Sequence, residues 1–341
     1  MRLLHICGPE PGGGATVAAE SVHALVGGDL WRIPSANTYR QAVCTIGGYC
    51  DPRARWLMRD VYRIYRPDVV HLHDFKRIGT AAIAAAVDLG IPAVWSCYDY
   101  WPMCPTDTGF NCCGLDGSCG PNTWTPAKGR DWPYLAKLPL HGRARRMRQW
   151  FGLLDAIICL SKDSEMRLRR FRMVGSSDYR YNSHVIPLPI RVPDLRAEKD
   201  PDYVLFLGGN HPVKGGDVFS QAAEIVKRER PRTRLVALAA QSREHALWEL
   251  AKASVLVVPE QWPNPGPVVI WEANILGTRT VASRIGGIPE MGPTATFRPG
   301  DSAECAAHIL DQLTVRFEPA RFGPAVPIRE RLMEVYRCAS R

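Results

Sequence analysis

The sequence predicts an α/β protein of doubly wound parallel sheets in two domains, and three observations carry that prediction. Short apolar runs alternate with longer helical patterns along most of the 341 residues, the pattern of strands joined by helical crossovers. Several runs end in glycine- or proline-rich loops that open a helix, where parallel sheets hold their ligands. The chain is long enough for two separate cores.

In order, Arg2 to Cys7 reads as a buried strand, and Gly8 to Gly14 as a loop opening a helix over Ala15 to Val26. Gly12, Gly13 and Gly14 let the backbone approach a ligand closely, although glycines also serve turning alone. A helix over Arg53 to Tyr65, a strand over Asp68 to Leu72, an Ala-rich helix over Ile78 to Leu89 and a strand over Pro92 to Cys97 follow. His71 and His73 are two apart and face one side of their strand. A metal pair there needs a third ligand that the sequence does not identify; a strand-end histidine hydrogen-bonded to backbone is the competing reading.

Five of the eleven cysteines fall between Cys97 and Cys119. Cys104, Cys112, Cys113 and Cys119 could clip a zinc ion, but they lack paired Cys-x-x-Cys spacing, so a structural or redox-labile role stays open. The following loop, to about Pro139, is long and rich in Gly and Pro, which marks it as functional. In the stretch Arg143 to Phe151, Arg143, Arg145, Arg146 and Arg148 precede Trp150 and Phe151, giving a helix basic at one end and apolar at the other. It suits an anionic membrane surface, or packs its apolar end on the sheet with the arginines solvated. The strand Ala156 to Leu160 comes next.

His184 to about Asp202 reads as a linker, so domains are expected at 1–190 and 191–324. The second opens with a strand over Tyr203 to Leu207, a loop through Lys214 and Gly215, and a helix over Gly216 to Arg228. A strand (Arg234 to Leu238), a helix (Ser242 to Lys252) and a strand (Ala253 to Val258) lead to the stretch Val258 to Glu290. There a Pro/Gly loop opens a short helix near Pro267 carrying Glu272, and a strand over Thr280 to Ser283 ends in Gly286-Gly287. Free N–H groups and the helix dipole favour a phosphate at that helix start. Glu272, a turn and a half inside, suits sugar hydroxyls beside it, so the unit fits a sugar nucleotide. Helices over Ser302 to Leu313 and Pro327 to Ala339 close the chain.

Composition is that of an ordinary globular protein, 46% hydrophobic and 23% charged. No apolar run reaches a membrane span, and the start reads as a strand entering a glycine loop rather than a signal peptide, so a cytoplasmic protein is expected. The net charge of +9 favours anionic partners. No zinc-finger spacing or RNA-binding aromatic pattern is present, so no nucleic-acid partner is expected.

The residues from Asn264 to Glu290 resemble the donor-site pattern of retaining glycosyltransferase family 4: an acidic residue, seven residues, a Glu, a Gly-x-Pro-Val-Val-Ala-Ser strand and a Gly-Gly-x-Pro-Glu turn. Glu272, Gly277, Val281-Ala282-Ser283 and Gly286-Gly287-Ile288-Pro289-Glu290 match, while the acidic position is Asn264. Ser96 to Pro105 is similar to the family's Thr-x-His-Asp-Tyr-Trp segment ending in Cys-Pro, with Tyr98 at the His position and Asp99, Tyr100, Trp101, Cys104 and Pro105 matching. The stretch from Gly208 to Gly215 resembles its Gly-Arg-x-x-x-x-Lys-Gly loop, with Lys214 retained and Gly209 at the Arg position.

The resemblance implies a GT-B fold, two Rossmann-like domains facing a central cleft, with a C-terminal helix (about 325–341) returning to the first, acceptor-binding domain. It implies retaining transfer of a sugar from a nucleotide-sugar donor, a UDP- or GDP-sugar, to a saccharide, lipid-linked or small-molecule hydroxyl, with no cofactor or metal required. Donor contacts are expected at Gly13, Gly14, Gly209, Lys214, Asn264, Gly266, Pro267, Val268 and Glu272. Lys214 and the N–H groups near Pro267 and Val268 would stabilise the departing diphosphate, Glu272 the ribose, and Asn264 and Asp99 the transferred sugar. Tyr98, a poor base with a reference pKa near 10, would position substrate. The long loop would form an acceptor-side lid, and lipid-linked acceptors would give the Arg143 to Phe151 patch a membrane role at the inner face. Tyr98, Gly209 and Asn264 together leave open a GT-B-like scaffold that has lost transfer activity, or a related enzyme making a different bond.

Overall fold

A computed structural model describes residues 1–9, 13–34, 44, 47–104, 142–171, 182–195, 197–208, 212–239, 242–315 and 327–341. The chain divides into two compact units, Met1–Pro189 with Val326–Arg341, and Ile190–Ala325.

The first unit holds a six-stranded sheet in the order β2-β1-β3-β4-β5-β6, every pairing parallel. Its strands are β1 (Leu3–Cys7), β2 (Asp29–Arg32), β3 (Val69–Leu72), β4 (Ala93–Cys97), β5 (Ala156–Cys159) and β6 (Asn182–Val185). Strands β1, β3, β4 and β5 are buried at every residue, because helices cover both faces of a parallel sheet. Among the described residues the helices α1 (Gly14–Val26), α2 (Pro52–Tyr65), α3 (Ala81–Asp88), α4 (Arg143–Phe151) and α5 (Lys162–Arg170) accompany it before the chain leaves this unit. Asp51 caps α2 through the Arg53 N–H, and Ser161 with Ser164 forms a capping box on α5.

The second unit holds five parallel strands ordered β11-β10-β9-β7-β8: β7 (Asp200–Leu207), β8 (Arg234–Leu238), β9 (Ala253–Val258), β10 (Arg279–Ser283) and β11 (Ala295–Phe297). Along β7, Val204 and Phe206 face α6 (Gly216–Glu229) and α9 (Ser302–Thr314), while Tyr203 and Leu205 face α7 (Arg243–Lys252) and α8 (Val268–Ile275). This period-two alternation divides one strand between two apolar layers.

The last helix, α10 (Ile328–Ala339), belongs to the first unit. Ile328, Leu332, Val335 and Tyr336 lie at helical spacing and pack on Leu3, Val69, Val94 and Ala156. Burying each such side chain contributes about 1.5–3 kcal/mol, which favours docking of a helix that lies far along the chain from its sheet.

Strands β2, β6 and β11 and helix α5 go beyond the sequence reading, which placed His184 inside a linker; the stretch it assigned begins in β6 and ends in β7. In each sheet the chain leaves its first strand for one side and later returns to the other, between β1 and β3 and between β7 and β9. Ligands of doubly wound sheets bind in the crevice at such reversals.

Candidate functional site

At the first reversal, Gly8 follows β1, His73 and Asp74 follow β3, and Tyr98 and Asp99 follow β4. A Cβ on Gly8 would stand 2.9 Å from Asp74 Oδ2, so the glycine admits this carboxylate to the sheet edge. Burial pushes the Asp74 carboxyl up, with Lys76 pulling it back. Asp99 has both oxygens engaged: Oδ1 accepts the Trp101 N–H at 2.8 Å and Oδ2 pairs with Lys76 Nζ at 2.9 Å. Gly13 is the N-cap of α1 and Gly14 its first residue; a Cβ on Gly13 would meet nothing within 4 Å.

Behind Tyr98 runs a chain of hydrogen bonds with one consistent direction. His5 Nε2 lies 3.1 Å from the Gly27 carbonyl, His5 Nδ1 lies 3.0 Å from His73 Nε2, and His73 Nδ1 lies 2.7 Å from the Tyr98 hydroxyl. Burial keeps all three cluster histidines neutral, lowering His5 to about 4 and taking His71 and His73 well below their ordinary value. A neutral imidazole has one donor and one acceptor, and the Gly27 carbonyl only accepts. His5 therefore donates from Nε2, His73 donates to His5, and Tyr98 donates to His73.

His5, His71 and His73 place ring nitrogens within 4.8 Å of one another, so His5 is the third histidine the sequence did not identify. Metal ligation needs lone pairs converging on one point. His71 instead directs Nδ1 to the Tyr336 hydroxyl at 2.9 Å and Nε2 to Ser96 Oγ at 2.8 Å, and its ring lies over that of His73 with centroids 3.9 Å apart. In this arrangement the three histidines form a hydrogen-bond network.

At the second reversal, the 3-10 turn Pro212–Lys214 follows β7 and the loop Pro259 to Pro267 follows β9. Two glycines let three loops close on one another. A Cβ on Gly215 (φ +71°) would lie 1.8 Å from the Pro259 carbonyl oxygen, and one on Gly286 (φ +59°) 2.4 Å from the Pro263 carbonyl carbon. Only glycine fits either place. The Gln261 N–H then donates to the Val213 carbonyl at 2.8 Å, and the Gly287 N–H to the Asn264 carbonyl at 2.8 Å.

Within this junction Lys214 Nζ lies 2.5 Å from Glu260 Oε1, and Asn264 Nδ2 lies 2.7 Å from Glu260 Oε2. Asn264 Oδ1 accepts the Gly266 N–H at 3.0 Å. Pro267 gives α8 no side-chain cap, which leaves the first N–H groups, beginning at Val268, open to an anion. Farther along α8, Glu272 Oε1 accepts from Arg243 Nε at 3.1 Å and Nη2 at 3.0 Å, and Nη2 also holds the Arg191 carbonyl. Burial raises the Glu272 carboxyl and Arg243 pulls it back. Among the described residues nothing hydrogen-bonds Glu272 Oε2.

Lys214, Asn264, Gly266, Pro267 and Val268 thus lie on the loops after β7 and β9 and at the start of α8, with Glu272 farther along that helix, while Gly13 and Gly14 start α1 and Tyr98 and Asp99 follow β4. Gly209, Cys112, Cys113 and Cys119 lie outside the described residues; Cys104 is buried. Sequence reasoning missed Glu260, Arg243, Asp74 and His5. Only position after a strand end marked Glu260, Arg243 and Asp74, a signal too common to single them out, and His5 lies in the middle of β1 with no local mark.

In the stretch Arg143 to Phe151 the arginines make contacts within the protein. Arg143 is buried and donates to the Trp101 and Pro102 carbonyls, Arg146 donates to the Gly47 carbonyl and lies over the Tyr49 ring, and Arg148 donates to the Phe171 carbonyl. Three of the four arginines thus donate to loop carbonyls, with Arg143 buried, Arg146 and Arg148 half-buried and Arg145 exposed.

Residues 11–191 match the family model Glycosyltransferase Family 4. No curated protein sequence matches the chain. Among solved structures, Anabaena HepE in complex with UDP and glucose is 14% identical, with a TM-score of 0.61 and 99% of each chain covered. Trehalose-6-phosphate synthase OtsA is 10% identical, with a TM-score of 0.64 over 100% of this chain and 96% of that one. Sucrose-phosphate synthase from Thermosynechococcus elongatus is 15% identical, with a TM-score of 0.59 over 99% and 96%. At these identities the likeness is one of fold, the two parallel-sheet Rossmann-like units of GT-B proteins. With more than half its length matched by the family model, the chain belongs to glycosyltransferase family 4.

Proposed function

We propose that this glycosyltransferase moves a sugar from a nucleotide-sugar donor to an acceptor hydroxyl with retention, in cell-surface polysaccharide, glycolipid or natural-product glycosylation. One observation carries the reading: Lys214 and Asn264 meet through Glu260 on the loops after β7 and β9, where α8, the helix that carries Glu272, begins uncapped. HepE structures that hold UDP or UDP-glucose make a UDP-sugar the donor to test first. The unit Ile190–Ala325 would bind donor and the unit Met1–Pro189 acceptor.

In this reading Lys214 and the Val268 N–H stabilise charge developing on the leaving diphosphate, as preorganised donors do. Glu272 Oε2 takes a ribose hydroxyl while Arg243 fixes Oε1. Asn264 orients the transferred sugar, and Asp99 stays held by Lys76 and the Trp101 N–H. The proton of Tyr98 points toward His73, so Tyr98 positions substrate without donating that proton to it. No cofactor or metal enters the scheme.

Among the described residues no helix is long and apolar enough to cross a membrane. Peripheral contact at the inner face is part of the proposal, through Arg143 to Phe151 with the exposed Arg145, and α2 offers a second surface. Trp56 (65% exposed), Leu57 and Ile64 (76% exposed) line its outer face beside the exposed Arg53 and Arg63, a composition suited to anionic headgroups. Sedimentation with anionic but not neutral vesicles, lost in Trp56→Ser/Ile64→Ser, tests that part.

A second reading, a binding or scaffold protein without transfer activity, is favoured by the internal pairing of both Lys214 and Glu272 with opposite charges. Calorimetric titration with UDP, GDP, ADP and TDP, repeated with Glu272→Ala and Lys214→Ala, tests the donor site. Micromolar binding of one nucleotide, about 8 kcal/mol, weakened about tenfold by either substitution, supports it. No binding by folded protein overturns it, and binding without donor turnover favours the second reading.

A further inference from the structure

Glu260 belongs to no motif the sequence revealed, yet its side chain is only 2% exposed and both its oxygens face the residues on which the donor site depends. Resting on the donor-site reading above, we propose that Glu260 is a positioning residue supplying, from four residues earlier in the chain, the carboxylate that the family pattern places where this chain has Asn264.

The argument is one of donors and acceptors. Lys214 Nζ has only protons to give, and it gives one to Oε1 at 2.5 Å. The Asn264 amide has its orientation set by the backbone: the Gly266 N–H donates to Oδ1, so Nδ2 is the end directed at Glu260, 2.7 Å from Oε2. Glu260 therefore faces two donors, and among uncharged or charged side chains of its size only a carboxylate accepts at both ends. It touches no substrate in this arrangement. It acts through Lys214, whose ammonium it anchors, and through Asn264, whose flip it fixes.

Relocation also explains how Asn264 is tolerated. A carboxylate at 264 would stand against the Glu260 carboxylate at about the 2.7 Å now spanned by the amide, and like charges that close cannot both ionise without cost. An acid at 260 and an amide at 264 are complementary; so are an amide at 260 and an acid at 264. Acid at both or amide at both is not. With amides at both positions, one NH2 must face another donor, or Asn264 must flip and abandon the Gly266 N–H.

The test is an isosteric swap in the full chain: Glu260→Gln, Asn264→Asp and the double variant, each measured for melting temperature and for UDP affinity by calorimetry. Each single variant is expected to melt several degrees lower than the wild type and to bind UDP about tenfold more weakly, the effect of a mismatched buried polar group. The double variant is expected to recover both, since the pair is coupled. In a Lys214→Ala background, Glu260→Gln should not weaken UDP further, a result that a merely structural role would not give. Glu260→Gln behaving as wild type, or a double variant no better than the worse single, overturns the assignment. Failure of wild-type protein to bind any nucleoside diphosphate instead overturns the donor-site reading and the ligand role of Glu260; the melting cycle, independent of ligand, still decides whether the acid and amide are coupled.

Discussion

The Tyr98 hydroxyl lies 2.7 Å from His73 Nδ1, and the fixed protons of the histidines behind it make Tyr98 the donor. The proton of this tyrosine is therefore committed inward, and Ser96 is a second hydrogen-bond partner of its hydroxyl. Tyr98→Phe leaves a buried acceptor on His73 unsatisfied, and unfolding in urea should show a loss of about 1–3 kcal/mol. A loss below a few tenths would mean that the proton points outward.

The histidine cluster sets an acid limit on stability. His5 has its folded pKa lowered from 6.5 to about 4 by burial, with His23 adding to the effect and the Gly27 carbonyl opposing it. The unfolded chain therefore binds more protons in that interval, and the contribution of neutral His5, complete above pH 6.5, is lost as pH falls toward 4. At 1.36 kcal/mol per unit this is about 3 kcal/mol from His5 alone. Melting temperature should fall steeply between pH 6.5 and 4, and His5→Gln should flatten that fall; an unchanged profile in the variant would assign the transition to other groups.

Arg243 holds the buried Glu272 carboxylate with two nitrogens. Arg243→Ala leaves that carboxylate without its cation, at a cost of about 2–3 kcal/mol for a charged hydrogen bond. It should also raise the pH at which Glu272 ionises, because the burial that already lifts its pKa then acts unopposed. Denaturant titration checks the first effect, and the pH dependence of UDP affinity the second.

Two glycine substitutions should differ sharply. Gly215→Ala forces a Cβ to within 1.8 Å of the Pro259 carbonyl oxygen at a φ of +71°, and should cost about 3 kcal/mol or more, or abolish soluble expression. Gly13→Ala, with open space around the Cβ and a φ of −73°, should cost about 1 kcal/mol or less as an uncapped N-cap. Thermal melts of the pair give the comparison directly.

The sequence by itself determined the order and type of most elements, because burial on both faces of a parallel sheet leaves apolar runs such as Ala253–Val258 that nothing else explains. It also placed Lys214, Asn264 and Glu272 on loops and a helix after strand ends, since those positions follow from local pattern. It missed short edge strands such as β2, which is exposed or half-exposed along its length and carries no apolar run. Tertiary structure alone decided the partners. Glu260 meets Lys214 from 46 residues away, Arg243 meets Glu272 from 29, and His5 meets His73 from 68. Such pairings are fixed by strand order, because a sheet that reverses at β1/β3 and β7/β9 sets strand ends side by side whatever their distance along the chain. The direction of Tyr98's proton and the inward turn of Arg143 follow from neighbours that no local pattern encodes.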